Sequence, residues 1–358
     1  MKTEIKLTNG DVATIVDNKD IKILKSPDYN FYFDKKSGLF CRWGKTEDDD
    51  GDINLSLPEI IDMEISTTCH GIDKPCKFCY KSNTSKGEYM TFETFKKVFS
   101  KLPPTITQLA AGIGDIDANP DMWKIFAYCR KQGVIPNVTI NGARMIPEYF
   151  DNLAKYCGAV ACSVYDKELT YNAIKELTDR GMSQINIHFF LSTETETLAY
   201  EVLNDIQNDP RLKKMNACVF LSLKKKGNAK TGFTQLSQEK FNDLCKFAIS
   251  KNIKIGFDSC SSDKFFKYLD SDKSLTEEFK KQMDQCIEKC ESSIFSAYIS
   301  CSSQYFPCSF CEGTKGWEKG IDIINCKDFI TDVWQNPKTI AFRKKLLSCN
   351  RNCTIYNI

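Results

Sequence analysis

Histidine is nearly absent from this chain: 358 residues contain only two, His70 and His188. That scarcity argues against histidine-rich metal sites and leaves little for Ser–His or Cys–His catalysis. Neither sign of charge dominates. Lys and Arg total 49 against 47 Asp and Glu, a net charge of +2, so no global field favours nucleic acid or an anionic membrane surface. No apolar run approaches the ~18–20 residues of a membrane span. The opening residues Met1-Lys2-Thr3-Glu4-Ile5-Lys6 are too charged for a signal peptide. The expectation is a cytoplasmic protein with no membrane or nucleic-acid partner.

Cysteine is the opposite case. Eighteen of them without a secretory signal point to a reducing compartment and to metal or redox chemistry. Their distribution follows three regions of the chain. Residues 1–57 read as a small β-rich extension, in which 30–33 and 39–43 flank a Gly-containing turn like the arms of a hairpin. The acidic run Glu47-Asp48-Asp49-Asp50-Gly51-Asp52 fails as a calcium loop, because Thr46 and Leu57 fall on the first and last ligand positions; it reads as a solvated linker.

From 58 to 258 strands and helices alternate. Strand-like runs fall at 60–65, 106–111, 134–140, 159–164, 185–191, 217–223 and 253–257. Between them, Thr91 opens a helix with Phe92, Phe95 and Phe99 on one stripe. Asn119-Pro120-Asp121 supplies an N-cap, a Pro at the first helical position and an acid for a second helix, which carries Met122, Ile125, Phe126 and Cys129 and ends at Gly133. Repeated βα units imply a parallel sheet with helices outside it, and chemistry at the C-terminal ends of the strands. Beyond 259 the rhythm stops and nine of the eighteen cysteines crowd in, the look of a loop-rich, metal-stapled region. Cys41, Cys129, Cys157, Cys218 and Cys245 lie in apolar patterns and read as core thiols.

The sharpest signal is Cys69-x6-Cys76-x2-Cys79-Tyr80, directly after the first strand of the alternating region. Three thiolates are one short of closing a zinc site or a four-iron cluster, so a [4Fe–4S] cluster here leaves one iron open to an outside ligand. A zinc ribbon would need a second CxxC some 15–20 residues on. The next one, Cys308-x2-Cys311, is far down the chain.

Three cysteines at that position resemble the radical S-adenosylmethionine (radical SAM) superfamily, although the usual spacing is Cys-x3-Cys-x2-Cys and three extra residues stand between Cys69 and Cys76 here. The resemblance implies a partial (β/α)6 TIM-like barrel over 58–258, with SAM chelated to the open iron and cleaved to a 5′-deoxyadenosyl radical. It carries cofactor contacts onto Tyr80, the aromatic after the third cysteine, and onto Gly114 and Asp115, which match the family's Gly-Gly-Glu-Pro strand end with Asp in place of Glu. Asn141 in an Asn-Gly turn, Ser163 at the end of the fourth strand and His188 complete the set; for His188 a plain core histidine is the competing reading. Lys224-Lys225-Lys226-Gly227 is either a solvated turn or a carboxylate-facing rim. Cys162, Tyr165 and Asp166 are candidates for quenching a substrate radical.

Residues 259–358 resemble the SPASM and twitch auxiliary-cluster domains. Tyr305-Phe306-Pro307-Cys308 matches their Gly-x4-Cys hairpin, with Ser303 in place of Gly. The resemblance implies one auxiliary [4Fe–4S] cluster on Cys260, Cys290, Cys308 and Cys353, with Cys349, then Cys286 and Cys311, as further candidates. Relatives with such a region mostly modify peptides or proteins. The implied partners are therefore a peptide or protein substrate and a one-electron reductant such as flavodoxin or ferredoxin. Two alternatives stay open: a radical SAM enzyme of a small metabolite or nucleoside, and a non-catalytic iron–sulfur or zinc module.

Overall fold

The computed structural model describes residues 2–46, 49, 51–356 and 358. Glu47, Asp48 and Asp50 of the expected acidic linker lie outside them. The chain opens with an antiparallel meander of five strands, β1 (Lys2–Lys6), β2 (Val12–Asp17), β3 (Ile21–Lys25), β4 (Asn30–Asp34) and β5 (Phe40–Trp43), each paired with the next. The expected hairpin is its last third, and Gly38 takes the positive φ of +78° that its turn needs. Alternation buries Ala13, Ile15, Leu24, Phe31 and Phe33.

Seven parallel strands follow: β6 (Ile60–Glu64), β7 (Gln108–Gly112), β8 (Ile135–Ile140), β9 (Val160–Ser163), β10 (Ile185–Leu191), β11 (Ala217–Ser222) and β12 (Ile255–Phe257). Between them run α1 (Phe92–Phe99), α2 (Met122–Lys131), α3 (Pro147–Tyr156), α4 (Lys167–Asp179), α5 (Glu196–Asn208) and α6 (Gln238–Ser250). The strands lie in the sheet in the order they occur in sequence. With the right-handed crossovers that βαβ units obey, that order puts every helix on one face. The burial confirms this division. Ile61, Met63, Leu109, Val138, Ile140, Ile185, Ile187 and Phe189 are covered on the helix side. The opposite face carries Asp62, Gln108, Asn137, Thr139, Asn186 and His188, less buried and largely polar.

One capping expectation is corrected. Helix α2 starts at Met122, and Asn119 is not its N-cap. The buried Asn119 amide instead donates to the Ile65 and Met90 carbonyls at 2.8 and 3.0 Å, bolting both ends of the cysteine-bearing segment together.

Beyond 258 the region expected to be loop-rich contains, among the described residues, three α-helices, α7 (Ser262–Ser271), α8 (Glu277–Cys286) and α9 (Pro337–Ser348), with three strands between α8 and α9. Strand β13 (Ser296–Ile299) returns to the main sheet parallel to β6, and β14 (Gln304–Phe306) and β15 (Ile321–Asp322) extend that edge antiparallel. The result is one ten-stranded sheet. Ser303 occupies the β13–β14 turn at φ +61°, the left-handed position for which glycine is the usual residue.

The N-terminal meander packs at the N-terminal ends of the parallel strands. Lys22 Nζ donates to the Ile106 carbonyl at 2.5 Å, just before β7, and Gln184 Nε2 to the Ser37 carbonyl at 3.4 Å, just before β10. Tyr29 and Arg42 both bind Glu59 at the threshold of β6. The opposite, C-terminal end of β6 runs into the three-cysteine segment. No helix among the described residues is long and apolar enough to cross a membrane.

Candidate functional site

The segment from 65 to 91, between β6 and α1, carries the three-cysteine motif. It is pinned by backbone bonds from Thr67 to the Glu88 carbonyl, Cys69 to Thr84 and Met90 to Ile65, at 2.8 to 2.9 Å. Its first cysteine leans on the end of β7. Gly114 lies at φ +63° so close to Thr68 that a Cβ there would sit 2.0 Å from the Thr68 carbonyl oxygen. The next residue, Asp115, is 1% exposed. It donates its backbone N–H to the Thr68 carbonyl at 3.1 Å and accepts the His70 N–H on its carboxylate at 2.6 Å. The same carboxylate faces His70 Nδ1 at 2.9 Å, lies 3.4 Å from Cys69 Sγ and pairs with Arg144. Arg144 in turn donates to the Gly71 carbonyl at 3.1 Å. Asp115 therefore organises the loop around the first cysteine, and His70 faces Asp115 with its ring exposed.

The CxxC end of the motif is held from the far side of the sheet. Phe78, between Cys76 and Cys79, lies flat on Phe190 of β10, centroids 4.7 Å apart, with Tyr165 and Phe233 edge-on around it. Burial pushes the Cys69 thiol up to about 12, with Asp115 and Cys76 adding to it. Burial also pushes Cys76 up to about 11, with Cys79 and Asp115 adding to it. The three thiols and Tyr165 thus share one electrostatic neighbourhood. Among the described residues no three His, Cys, Asp or Glu side chains converge tightly enough to grip a single ion. A four-iron cube holds its thiolates further apart than one tetrahedral ion does, and a soft, three-thiol set with a dry aromatic wall fits such a cluster. Loading it would strip protons from Cys69 and Cys76, which burial keeps protonated.

The other predicted cofactor contacts are spread along the strand ends. Asn141 accepts the Ala143 N–H at 3.0 Å in a tight turn, and Gly142, at φ +75°, lets that turn pass the Leu169 carbonyl. Ser163 and His188 are register partners on β9 and β10. His188 Nδ1 lies 3.4 Å from Thr139 Oγ1, and burial lowers its pKa to about 4, so the imidazole is neutral at physiological pH. Tyr80 points elsewhere: its ring packs on Phe310, centroids 4.3 Å apart, and so reaches the C-terminal cysteine loop.

Cys260, Cys290, Cys308 and Cys353, from four separate segments, are brought to one place. Burial lowers the pKa of the Lys224 ammonium, and all four thiols act against that shift. A hydrogen bond with Cys260 draws the Cys353 thiol down to about 6, and Tyr356 N–H donates to Cys353 Sγ at 3.4 Å. Cys290 Sγ lies 3.4 Å from Ser292 Oγ, and its N–H donates to the Arg351 carbonyl. Four thiols in a largely buried pocket match the donor set of a fully ligated cluster. Of the further candidates, Cys311 adjoins Cys308, whereas Cys349 and Cys286 are exposed.

Two readings of single residues are corrected. Cys41 is exposed on β5 and not a core thiol. Cys162 is fully buried in the hydrophobic core, in register with Ile140 and Ile187 on the helix side, because one step along a strand flips the face; Asp166 is the N-cap of α4. Neither faces the cysteine loop, whereas Tyr165 does.

The sequence also gave no warning of a cleft of about 390 Å³ between the two cysteine regions, lined in part by Glu64, Tyr80, Lys81, Lys226, Cys301 and Glu312. Lys81 Nζ lies 3.2 Å from Glu64 and donates to Tyr298 Oη at 2.8 Å, and it also pairs with Glu312. Lys226 donates to the Ser309 and Glu312 carbonyls at 2.7 and 2.8 Å, tying the end of β11 to the Cys308 loop.

No protein-family model matches the chain, and no curated protein matches it significantly. Solved structures do. SuiB of Streptococcus suis bound to the precursor peptide SuiA aligns at a TM-score of 0.69 and 12% identity, over 92% of this chain and 90% of that one. SuiB bound to S-adenosylmethionine aligns at 0.68 and 14% over the same shares. Native anSMEcpe with bound AdoMet and the Cp18Cys peptide aligns at 0.57 and 13%, over 80% of this chain and 82% of that one. At these identities the likeness is one of fold.

Proposed function

We propose that this chain is a radical SAM enzyme that modifies a peptide or protein, built on a partial (β/α)6 barrel with a SPASM- or twitch-like C-terminal region. The observation that carries the reading is the three-thiol loop at the C-terminal end of β6, in a chain whose fold is shared with proteins solved with S-adenosylmethionine and with peptides. The chemistry such a cluster supplies with S-adenosylmethionine is reductive cleavage to a 5′-deoxyadenosyl radical that abstracts hydrogen from an unactivated carbon.

The chain's own groups divide the remaining work. Cys69, Cys76 and Cys79 hold the first cluster. Asp115 fixes the Cys69 turn, and the Phe78–Phe190–Phe233 cage keeps water from the CxxC side. Ser163, the neutral His188 and Asn141 offer polar contacts along the strand ends to the cofactor's sugar and methionyl groups. Cys260, Cys290, Cys308 and Cys353 hold one auxiliary cluster. The cleft beside Tyr80, with both carboxylate and ammonium groups on its wall, receives the peptide. The electron comes from an external carrier of the flavodoxin or ferredoxin class.

The test is anaerobic incubation of the reconstituted protein with S-adenosylmethionine and dithionite. 5′-Deoxyadenosine is expected from the wild type and none from Cys76→Ala or Cys79→Ala. Formation at the wild-type rate by either variant would reject the ligand assignment. A wild type that holds iron but never yields 5′-deoxyadenosine would favour the non-catalytic module.

A further inference from the structure

The Lys224-Lys225-Lys226 run divides its three charges. Lys225 is exposed and Lys226 ties the Cys308 loop, but Lys224 is buried at 4% exposure just past the end of β11. A buried ammonium needs a compensating charge. Among the described residues its one carboxylate partner is Asp258, which also accepts a hydrogen bond from Ser261. The ammonium further lies 5.1 Å from the centroid of the Phe310 ring. Its two neighbours lead to the cysteines: Asp258 is two residues before Cys260, Phe310 is two after Cys308, and the Phe310 ring packs on Tyr356, three after Cys353. Cys260, Cys353, Cys308 and Cys290 all act on its charge. One carboxylate balances the lysine already, so the pocket gains nothing from a cation unless something else there is negative. A cluster held on four thiolates would be.

Building on the auxiliary-cluster reading above, we infer that Lys224 is a positioning residue for that cluster, a fixed buried cation that raises its reduction potential. A [4Fe–4S] cube on four thiolates carries net negative charge, and reduction adds one electron to it. A cation held in the same dry pocket stabilises the reduced form more than the oxidised form, because the attraction grows with the cluster's charge and is little screened there. Asp258 acts in the opposite sense and limits the shift. The pair therefore sets the potential at which the auxiliary cluster accepts an electron, without touching the site that cleaves S-adenosylmethionine.

The experiment is a potentiometric titration of the anaerobically reconstituted holoenzyme followed by EPR, with Cys308→Ala used to identify the auxiliary signal. Lys224→Met should lower the midpoint of that signal and leave the other cluster's midpoint in place, while Lys224→Arg stays near the wild type. Asp258→Asn should move the same midpoint upward, which keeps the inference testable if Lys224→Met does not fold. Equal midpoints in the wild type, Lys224→Met and Asp258→Asn would overturn it and leave Lys224 a structural ion pair. If Cys308→Ala removes no iron and no signal, the auxiliary-cluster reading itself fails and takes the inference with it.

Discussion

Asn228 clasps the CxxC turn with both ends of its residue. Its backbone N–H donates to the Cys79 carbonyl at 2.9 Å and its side-chain amide to the Cys76 carbonyl at 3.0 Å. It can approach so closely because Gly227 precedes it at φ +58°, where a Cβ would stand 2.4 Å from the Tyr80 carbonyl oxygen. The loop after β11 thereby sets the orientation of two thiols that it does not itself supply.

Groups that orient metal ligands typically matter at the level of ~10–100-fold in affinity or activity. Asn228→Ala should lower 5′-deoxyadenosine formation by about 10-fold while circular dichroism stays unchanged. Gly227→Ala should do more harm, because the backbone itself must move. Wild-type rates in both would show that the clasp is incidental.

Iron content separates one cluster from two. About eight irons per chain are expected after anaerobic reconstitution, falling to about four when Cys260, Cys290 and Cys308 are replaced together by Ala. An unchanged count in that variant would remove the auxiliary cluster. The single variant Cys308→Ala, if it folds, should keep slow cleavage of S-adenosylmethionine and lose product formation.

The N-terminal meander is joined to β6 by a buried ion pair. Arg42 Nη2 lies 2.6 Å from Glu59 Oε2, and Glu59 is fully buried and also accepts the Tyr29 hydroxyl at 2.5 Å. Arg42→Met leaves that carboxylate uncompensated and should cost about 3–5 kcal/mol in chemical denaturation. The double variant Arg42→Met/Glu59→Leu should recover much of that loss. A single variant as stable as the wild type would mean that the meander is held by its apolar contacts alone.

Asp62 gives a pH prediction with a definite sign. It lies on the helix-free face of β6 with no hydrogen bond or ion pair among the described residues, and burial raises its pKa to about 6. A carboxyl group raised in the folded state destabilises the fold once it is charged. The stability is therefore full below about pH 4 and is lost as the pH climbs to about 6. Asp62→Asn should gain on the wild type by about 1 kcal/mol between pH 5 and pH 7.5, read as the change in denaturation midpoint. A constant difference across that interval would show that Asp62 is solvated.

The legible parts of the sequence were those where one periodicity acts alone. Strand β10 alternates cleanly over Ile185–Leu191 and occupies the residues expected of it. Helix α2 carries its stripe from Met122 to Cys129 as read. The meander was only half legible, because β1 and β3 are short and carry lysines, and Lys22 is buried through a long-range bond to Ile106 that no local pattern announces. The three-cysteine loop was plain from spacing, but its support was not. Arg144, Asn228 and Asn119 are ordinary polar residues until the fold brings them to the loop. In the lysine run, composition suggested solvent, whereas alternate positions turn inward. Cys41 and Cys162 failed for a related reason, since apolar neighbours in sequence do not say which side of a strand a thiol takes.

The seating of β13 beside β6 has a consequence for how the protein can be dissected. The strand that launches the first cysteine loop is flanked on one side by β7 and on the other by a strand more than two hundred residues away. A fragment ended near 258 would leave Ile60–Glu64 with a row of bare N–H and C=O groups along one side. Such an edge is a template for another chain. The C-terminal region is thus also the protein's own protection against self-association, and its loss should show first as insolubility, before any question of chemistry arises.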